Sequence, residues 1–205
     1  MVRRTKAAAD QTREGILDAA RRVFAREGVG RATLERVATE AGVTRGAVYW
    51  HFANKTELFY AMKEHSLRPL ADTVDACLAD PAQSDPLDAI ETAMGHVIEV
   101  LETDSEVRET LEVITLRCEF VGAFAPLVAE IVSSHQCLRD NLSAAYTRAA
   151  TRGLLRAGLE PSLLGTDSMV FLLGLVHEWL REAVDGNVRR NARALIRNHV
   201  ALRRR

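Results

Sequence analysis

The chain has 205 residues and a net charge of −1, and 47% of its residues are hydrophobic but only 5% are aromatic. This length allows one large or two modest domains, and the composition favours an Ala- and Leu-rich helical core. No apolar run approaches the roughly 18 residues of a membrane span, and none follows the basic N-terminus as in a signal peptide. We therefore expect an all-α cytoplasmic protein that has no membrane segment and needs no metal or cofactor.

Charge is distributed unevenly along the chain. Residues 1–55 contain 11 Lys and Arg against 6 Asp and Glu, whereas residues 56–205 contain 16 against 22. A basic N-terminal part beside an acidic remainder favours a module that binds phosphates, because only the basic part would be attracted to a polyanion.

The first predicted helix runs from about residue 10 to residue 26 and ends before two glycines. Its apolar face consists of Ile16, Leu17, Ala20, Val23 and Phe24. Thr33 is then placed to cap a second helix, and Gly42 suits the left-handed position at that helix's end. Thr44 can cap a third helix of about seven residues, so the two helices are separated by only a tight turn.

The third helix is predicted to present Arg45, Gly46, Tyr49 and Trp50 outward and to pack Val48 and Phe52 inward. A short helix with an arginine, bare backbone and aromatic side chains on its exposed side fits a DNA major groove. The alternative is an ordinary helical hairpin with surface aromatics. The residues predicted to bind DNA are Thr33, Thr44, Arg45, Gly46, Ala47, Tyr49, Trp50, His51 and Lys55.

A further helix is predicted to begin at Lys55, because Asn54 and Glu57 form a capping-box pattern. The positive end of that helix and the Lys55 ammonium are expected to receive a phosphate, and Tyr49 and His51 are expected to donate to neighbouring phosphates. The predicted domains are accordingly 1–54, which binds DNA, and 55–205.

The rest of the chain is predicted to be helical, without strands. The helix from Lys55 should reach about residue 78, with a kink or break near Arg68 caused by Pro69. Residues 80–86 are predicted to form a loop, and Pro86 is well placed in the first turn of the next helix. The further helices are predicted at about 86–102, 105–119, 126–152, 161–184 and 188–203.

The segment GVTRGAVYWHFANKTELF, residues 42–59, resembles the recognition segment of TetR-family transcriptional regulators. Its Tyr-x-His-Phe-x-x-Lys core is Tyr49, His51, Phe52 and Lys55, and TRGAVYWHF is most similar to AcrR-type repressors of multidrug efflux pumps. Looser similarity covers VRRTK at 2–6, RCEF at 117–120 and GLVHEWL at 174–180. The resemblance implies a three-helix DNA-binding domain with a helix-turn-helix, joined to a C-terminal helical domain for ligand binding and dimerisation.

The C-terminal helices carry apolar stripes with a few polar members. In the 126–152 helix the stripe is Leu127, Ile131, His135, Leu138 and Leu142. Apolar walls with isolated polar groups indicate a small-molecule cavity, and the alternative is a packed core in which those polar groups are satisfied. The resemblance favours the cavity, which would take a lipophilic, drug-like effector. The residues predicted to line it are Leu67, Val97, Leu111, Thr115, Cys118, His135, Leu138, Met169 and His177.

A homodimer is expected, because one short recognition helix reads only a few base pairs and a two-fold dimer on a palindromic operator reads more. As in TetR-family proteins, the last two helices would form the interface, although their large residues could instead complete the core of one chain. The candidate anchors are Leu172, Leu175, Trp179, Leu195, Ile196 and Val200.

The predicted function is a ligand-responsive repressor of a multidrug efflux operon, released from its operator by lipophilic compounds. An enzyme is not expected, since no catalytic motif accompanies His135 or His177. One alternative is a redox sensor that uses Cys118 or Cys137, and another is a regulator that responds to a metabolite. The three cysteines, which include Cys77, lack metal-ligand spacing, so reduced thiols are the expected state.

Overall fold

The computed structural model describes residues 6–80 and 85–205, and this part of the chain is helical apart from short connections. One isolated antiparallel bridge joins Leu155 to Arg204. The all-α prediction is confirmed. The elements are α1 (Lys6–Glu27), α2 (Leu34–Glu40), α3 (Arg45–His51), α4 (Lys55–Ala79), α5 (Pro86–Thr103), α6 (Ser105–Leu116), a 3-10 turn (Gly122–Phe124), α7 (Leu127–Thr151), α8 (Pro161–Arg181) and α9 (Asn187–Ala201).

Each predicted helix occurs, with differences at some of the ends and at Pro69. α1 begins at Lys6, about four residues earlier than predicted, and α9 ends at Ala201, about two residues early. Of the kink or break predicted near Arg68, the break is wrong, because α4 continues through Pro69, and the kink stays a prediction. α6 ends at Leu116, three residues early, and α8 ends at Arg181, where the backbone of Glu182 turns extended. The Glu182 carboxylate instead accepts hydrogen bonds from the Val188 and Arg189 N–H groups at the start of α9. Residues 2–5 of the VRRTK segment and residues 81–84 of the predicted loop lie outside the described residues.

The chain divides into two compact units. The first contains the described residues of Met1–Arg68 together with Asp104–Pro126, and the second contains Pro69–Thr103 and Leu127–Arg205. α6 and the segment after it therefore belong to the same unit as α1 to α3, which the sequence did not suggest. The functional boundary between residues 54 and 55 stays a prediction.

In the first unit α1 packs against α2 and α6. The predicted apolar face of α1 is buried throughout, and the Phe59 ring lies between those of Phe24 and Phe124, with centroids 5.7 and 5.3 Å away. The nearly buried Arg21 guanidinium pairs with Glu106 at 3.2 Å and Glu109 at 3.0 Å on α6. α1 is thus joined to α6 by ion pairs, and its Phe24 packs against Phe59 of α4.

In the second unit α8 packs against α7 and α9, and α5 packs against α7 and α9. A buried chain of hydrogen bonds joins these helices, because Ser168 lies 2.7 Å from the Tyr146 hydroxyl and 2.9 Å from His199 Nε2. The His199 ring stacks on Phe171 at 3.9 Å between centroids. Burial and the nearby Arg203 charge lower the pKa of His199 to about 4, so its imidazole is neutral near pH 7.

The crossing of α7 and α8 depends on a glycine. A Cβ at Gly165 would lie 2.8 Å from the Arg139 carbonyl oxygen and would also collide with Ser143. We expect Gly165→Ala to lower the free energy of unfolding by about 1–3 kcal/mol, because backbone must move to admit the methyl group. Gly95→Ala in α5 is the control, since nothing lies within 4 Å of its Cβ position. Urea denaturation of both variants tests this, and equal stability of the two would contradict it.

Among the described residues, α8 is the helix whose length and composition would suffice to cross a membrane. It packs between α7 and α9, and Leu164, Leu172, Leu175 and Trp179 are buried there. A core helix meets the same criteria, so the expectation that the protein has no membrane segment stays a prediction.

Candidate functional site

The predicted caps of the second and third helices are present. Thr33 Oγ1 accepts a hydrogen bond from the Arg36 N–H at 3.3 Å, and Thr44 Oγ1 accepts one from the Ala47 N–H at 3.2 Å. Between them Gly42 has a φ of +66°, and the Val43 N–H returns to the Ala38 carbonyl at 3.0 Å. This closure of α2 allows α3 to begin after a short turn.

The outer side of α3 has the predicted composition. Val48 and Phe52 are buried, whereas Trp50 is 72% exposed and Tyr49 is also exposed. The Arg45 side chain is 64% exposed, and its guanidinium donates to the Tyr49 hydroxyl at 3.3 Å. α3 therefore offers a hydrogen-bond donor and two aromatic surfaces to a partner.

Arg45 also pairs with Glu35, whose carboxylate lies 3.1 Å from Arg45 Nε. The sequence analysis did not identify Glu35. It stands ten positions before its partner, on another helix, and only the geometry of the turn brings the two together.

Gly46 lies on the same exposed side of α3, and the packing of the first unit leaves room for a larger side chain there. A Cβ at Gly46 would meet nothing nearer than Thr44 Oγ1, at 3.9 Å. Gly46→Ala is expected to preserve or raise the free energy of unfolding, by up to about 1 kcal/mol, since alanine favours a helix. Affinity for DNA is expected to fall, because the methyl group separates the α3 backbone from the duplex.

Circular dichroism melting and fluorescence anisotropy with a DNA duplex measure the two effects separately. Gly15→Ala in α1, another helical glycine with open space at its Cβ position, is the control. Unchanged DNA affinity in Gly46→Ala would remove this position from the interface.

The predicted capping box begins α4. The Glu57 N–H donates to Asn54 Oδ1 at 2.9 Å, and the Glu57 carboxylate accepts from the Ala53 N–H at 2.8 Å. The predicted start of α4 at Lys55 is confirmed.

Lys55 has partners that the sequence analysis did not anticipate. Its ammonium donates to the carbonyl oxygens of Val29, Gly30 and Ala32 at 2.7, 2.9 and 3.0 Å. An ammonium has three N–H donors, so all three donors of Lys55 are engaged inside the protein. The sequence analysis predicted that this ammonium would contact a DNA phosphate. Burial lowers the pKa of Lys55. No sequence signal marks this arrangement, because its acceptors are backbone atoms of the turn between α1 and α2.

The nine predicted effector residues are divided between the two units. Leu67, Leu111, Thr115 and Cys118 belong to the first, and Thr115 is exposed there. Val97, His135, Leu138, Met169 and His177 belong to the second. Burial lowers the pKa of His135, so a neutral imidazole is favoured. The assignment of these nine residues to an effector cavity stays a proposal.

Two of the cysteines, Cys77 and Cys118, lie in environments that disfavour the thiolate, and Cys137 is exposed. Burial and the neighbouring Glu119 charge raise the pKa of the Cys118 thiol, and burial and Asp80 raise the pKa of Cys77. Because the thiolate is the form that reacts with oxidants, the shift at Cys118 does not support a redox role for that residue, and the redox alternative at Cys137 stays untested.

The candidate dimer anchors on α8 and α9 are mostly buried within the single chain. Leu172, Leu175, Trp179, Ile196 and Val200 are buried against the other helices of their unit, and Leu195 is exposed. For these five residues the alternative is correct: they complete the core of one chain. The large apolar residues left exposed on these helices are Leu163 and Val170 on α8 and Leu195 on α9, together with Leu202, which directly follows α9.

The capped pair α2–α3, with an arginine and aromatics on the outer side of the second helix, defines a helix-turn-helix protein of the DNA-binding class. The family of bacterial regulatory proteins named tetR matches residues 16–62. The regulator TtgR of Pseudomonas putida is 34% identical over 180 residues, which cover 88% of this chain and 85% of TtgR. The chain therefore belongs to the TetR family.

Two solved structures are similar over nearly the whole chain. NalD, the secondary repressor of the MexAB-OprM multidrug efflux pump in Pseudomonas aeruginosa, has a TM-score of 0.82 at 28% identity and covers 98% of this chain and 99% of its own. The complex of SmeT with triclosan has a TM-score of 0.83 at 30% identity, with coverage of 95% and 92%. SmeT is the repressor of the Stenotrophomonas maltophilia multidrug efflux pump SmeDEF.

Proposed function

We propose that this protein is a cytoplasmic transcriptional repressor, not an enzyme, that binds a palindromic operator as a homodimer. The observation that carries the proposal is the outer side of α3, where Arg45, Gly46, Tyr49 and Trp50 stand together on a short, well-capped helix. Arginine recognises guanine edges, bare backbone allows close approach, and aromatic rings contact sugars and thymine methyl groups. Thr33, Thr44, Ala47 and His51 complete the proposed interface.

The proposed target is a multidrug efflux operon, and the proposed effector is a lipophilic compound. NalD and SmeT support this, since both are repressors of multidrug efflux pumps and SmeT binds triclosan. The effector would bind the C-terminal helical domain, where His135 is the proposed contact. Release requires that it bind the DNA-free conformation more tightly than the DNA-bound one.

Triclosan is the probe for this part of the proposal. It should bind the purified protein in calorimetry and should reverse the anisotropy of a preformed protein–DNA complex over the same concentration range. The His135→Leu variant should keep its DNA affinity but show an altered Kd for triclosan. If neither triclosan nor other lipophilic drugs bind, while a metabolite releases the DNA, the efflux assignment is wrong and the metabolite-responsive alternative replaces it.

The dimer would form through the outward apolar residues of α8 and α9. Leu163 and Val170 are seven residues apart on α8, so they lie on one face of that helix. Leu195 lies on α9, and Leu202 is the residue that caps its C-terminal end. Val170 is 58% exposed and Leu202 is 63% exposed. An isologous four-helix contact would bury these side chains in both copies.

Analytical ultracentrifugation tests the dimer with the double variant Val170→Glu/Leu195→Glu. The wild type should sediment as a dimer and the double variant as a folded monomer, because charges would be buried without partners. Val128→Glu, on the exposed side of α7, should remain dimeric. A double variant that stays dimeric would move the interface elsewhere.

A further inference from the structure

A carboxylate stands beside the arginine that is proposed to contact bases. Glu35 lies in the first turn of α2, and Arg45 is the first residue of α3. Glu35 Oε1 and Arg45 Nε are 3.1 Å apart, and both side chains are half-exposed or more. The pair therefore lies on the surface, across the turn that separates the two helices.

Arg45 is held from two sides. Besides the contact with Glu35, its guanidinium donates to the Tyr49 hydroxyl at 3.3 Å and lies 5.2 Å from the centre of the Tyr49 ring. A flexible arginine is thereby held in one position before DNA arrives, which lowers the entropic cost of a directed contact.

Glu35 is charged in the DNA-free protein near pH 7. Hydrogen bonding to its own backbone N–H and the charge of Arg45 both lower the pKa of Glu35. The tyrosine hydroxyl and the Glu35 carboxylate both raise the pKa of Arg45, which is positive at any working pH. DNA therefore meets an ion pair, with one charge that attracts phosphates and one that repels them.

The two charges affect two kinds of binding differently. Binding to unrelated DNA depends almost wholly on phosphates, so Arg45 would have to leave Glu35 to contribute, and Glu35 would repel the backbone. At a preferred site the directed contact of Arg45 with a base edge offsets that repulsion. The repulsion therefore weakens binding to unrelated DNA more than binding to the preferred site.

We propose that Glu35 is a specificity-determining positioning residue, which acts through Arg45 and suppresses binding to unrelated DNA. This inference rests on the proposed function. The carboxylate is not needed for the fold, since an ion pair this exposed contributes little to stability.

The test compares the wild type, Glu35→Gln and Glu40→Gln by fluorescence anisotropy across a salt series. Each is titrated onto a duplex selected by the wild type and onto an unrelated duplex. Glu40 is the matched control, because it pairs with Arg22 at 2.9 Å and Arg26 at 3.2 Å but not with α3.

Glu35→Gln is expected to bind unrelated DNA about three- to tenfold more tightly, with a salt slope steeper by about one unit, and to change less at the selected site. The ratio of its affinity for the selected duplex to its affinity for the unrelated duplex therefore falls. The same ratio is unchanged in Glu40→Gln. When Arg45 is already replaced by alanine, Glu35→Gln should leave this affinity ratio unchanged, because Glu35 is proposed to act through Arg45.

Two results would overturn the inference while leaving the proposed function intact. One is a ratio in Glu35→Gln equal to that of the wild type. The other is a loss of affinity in Glu35→Gln that is confined to the selected site and that also occurs in the Arg45→Ala background. Glu35 would then contact a base directly. A wild type that prefers no DNA sequence would instead defeat the proposed function itself.

Discussion

Arg45→Ala is expected to weaken binding to the preferred DNA site by about 1–3 kcal/mol and to relax discrimination at one base position in each half-site. The reason is geometric: Arg45 begins the exposed side of α3 and is held there by Glu35 and Tyr49. Stability should change little, since both partners are on the surface. Anisotropy on a panel of single-base variants of the site measures the effect.

Arg22→Ala is the control for this prediction. Arg22 is also partly exposed and also pairs with a glutamate, Glu40, but it lies on α1. Its loss should leave the pattern of base preferences unchanged. If Arg45→Ala weakened binding to all sequences equally, Arg45 would be a phosphate contact and α3 would be oriented differently in the complex.

Lys55→Met is expected to lower the free energy of unfolding by about 2 kcal/mol or more. The substitution leaves three carbonyls of the α1–α2 turn without their charged donor. Val29 and Ala32 are buried, and a buried acceptor that loses its partner costs about 1–3 kcal/mol. Gly30 is exposed, so water can replace the ammonium there. DNA affinity should fall as well, because the turn positions α2 and thereby α3. Chemical denaturation and a salt series of DNA binding supply the two measurements.

The salt series separates this account of Lys55 from the phosphate contact that the sequence suggested. A lost phosphate contact lowers the salt slope by about one unit and leaves stability unchanged, whereas a lost contact to the turn lowers stability and leaves the slope unchanged. Lys63→Met, on the same helix, removes an ammonium that contacts Glu64 at 3.0 Å and is the control. A stable Lys55→Met protein with a reduced slope would restore the phosphate assignment.

The helices were predictable because their signals are local. Thr33, Gly42, Thr44 and Asn54 mark their boundaries through hydrogen bonds and backbone angles that involve neighbours a few residues away. Apolar spacing likewise identified the buried face of α1. The break near Pro69 was wrongly predicted because a proline removes one hydrogen bond, which a long helix with intact turns on either side can tolerate.

Of the candidate site, only the exposed residues of α3 could be predicted from the sequence. The exposed residues of α3 follow from helical spacing, but the partners of Arg45 and Lys55 depend on how separate elements meet. Glu35 reaches Arg45 across a turn, and Lys55 reaches backbone carbonyls more than twenty residues away along the chain. The burial of Trp179 and Ile196 within one chain likewise depends on packing that no local pattern specifies.

The central claim is that this protein recognises a DNA sequence through α3, and selection from a pool of random duplexes tests it most directly. The wild type should enrich a palindrome whose half-sites lie about one helical turn apart, and should bind it at least about 1,000-fold more tightly than unrelated DNA at physiological salt. Arg45→Ala should enrich a different or degenerate sequence. Failure of the folded wild type to enrich any sequence would contradict the account.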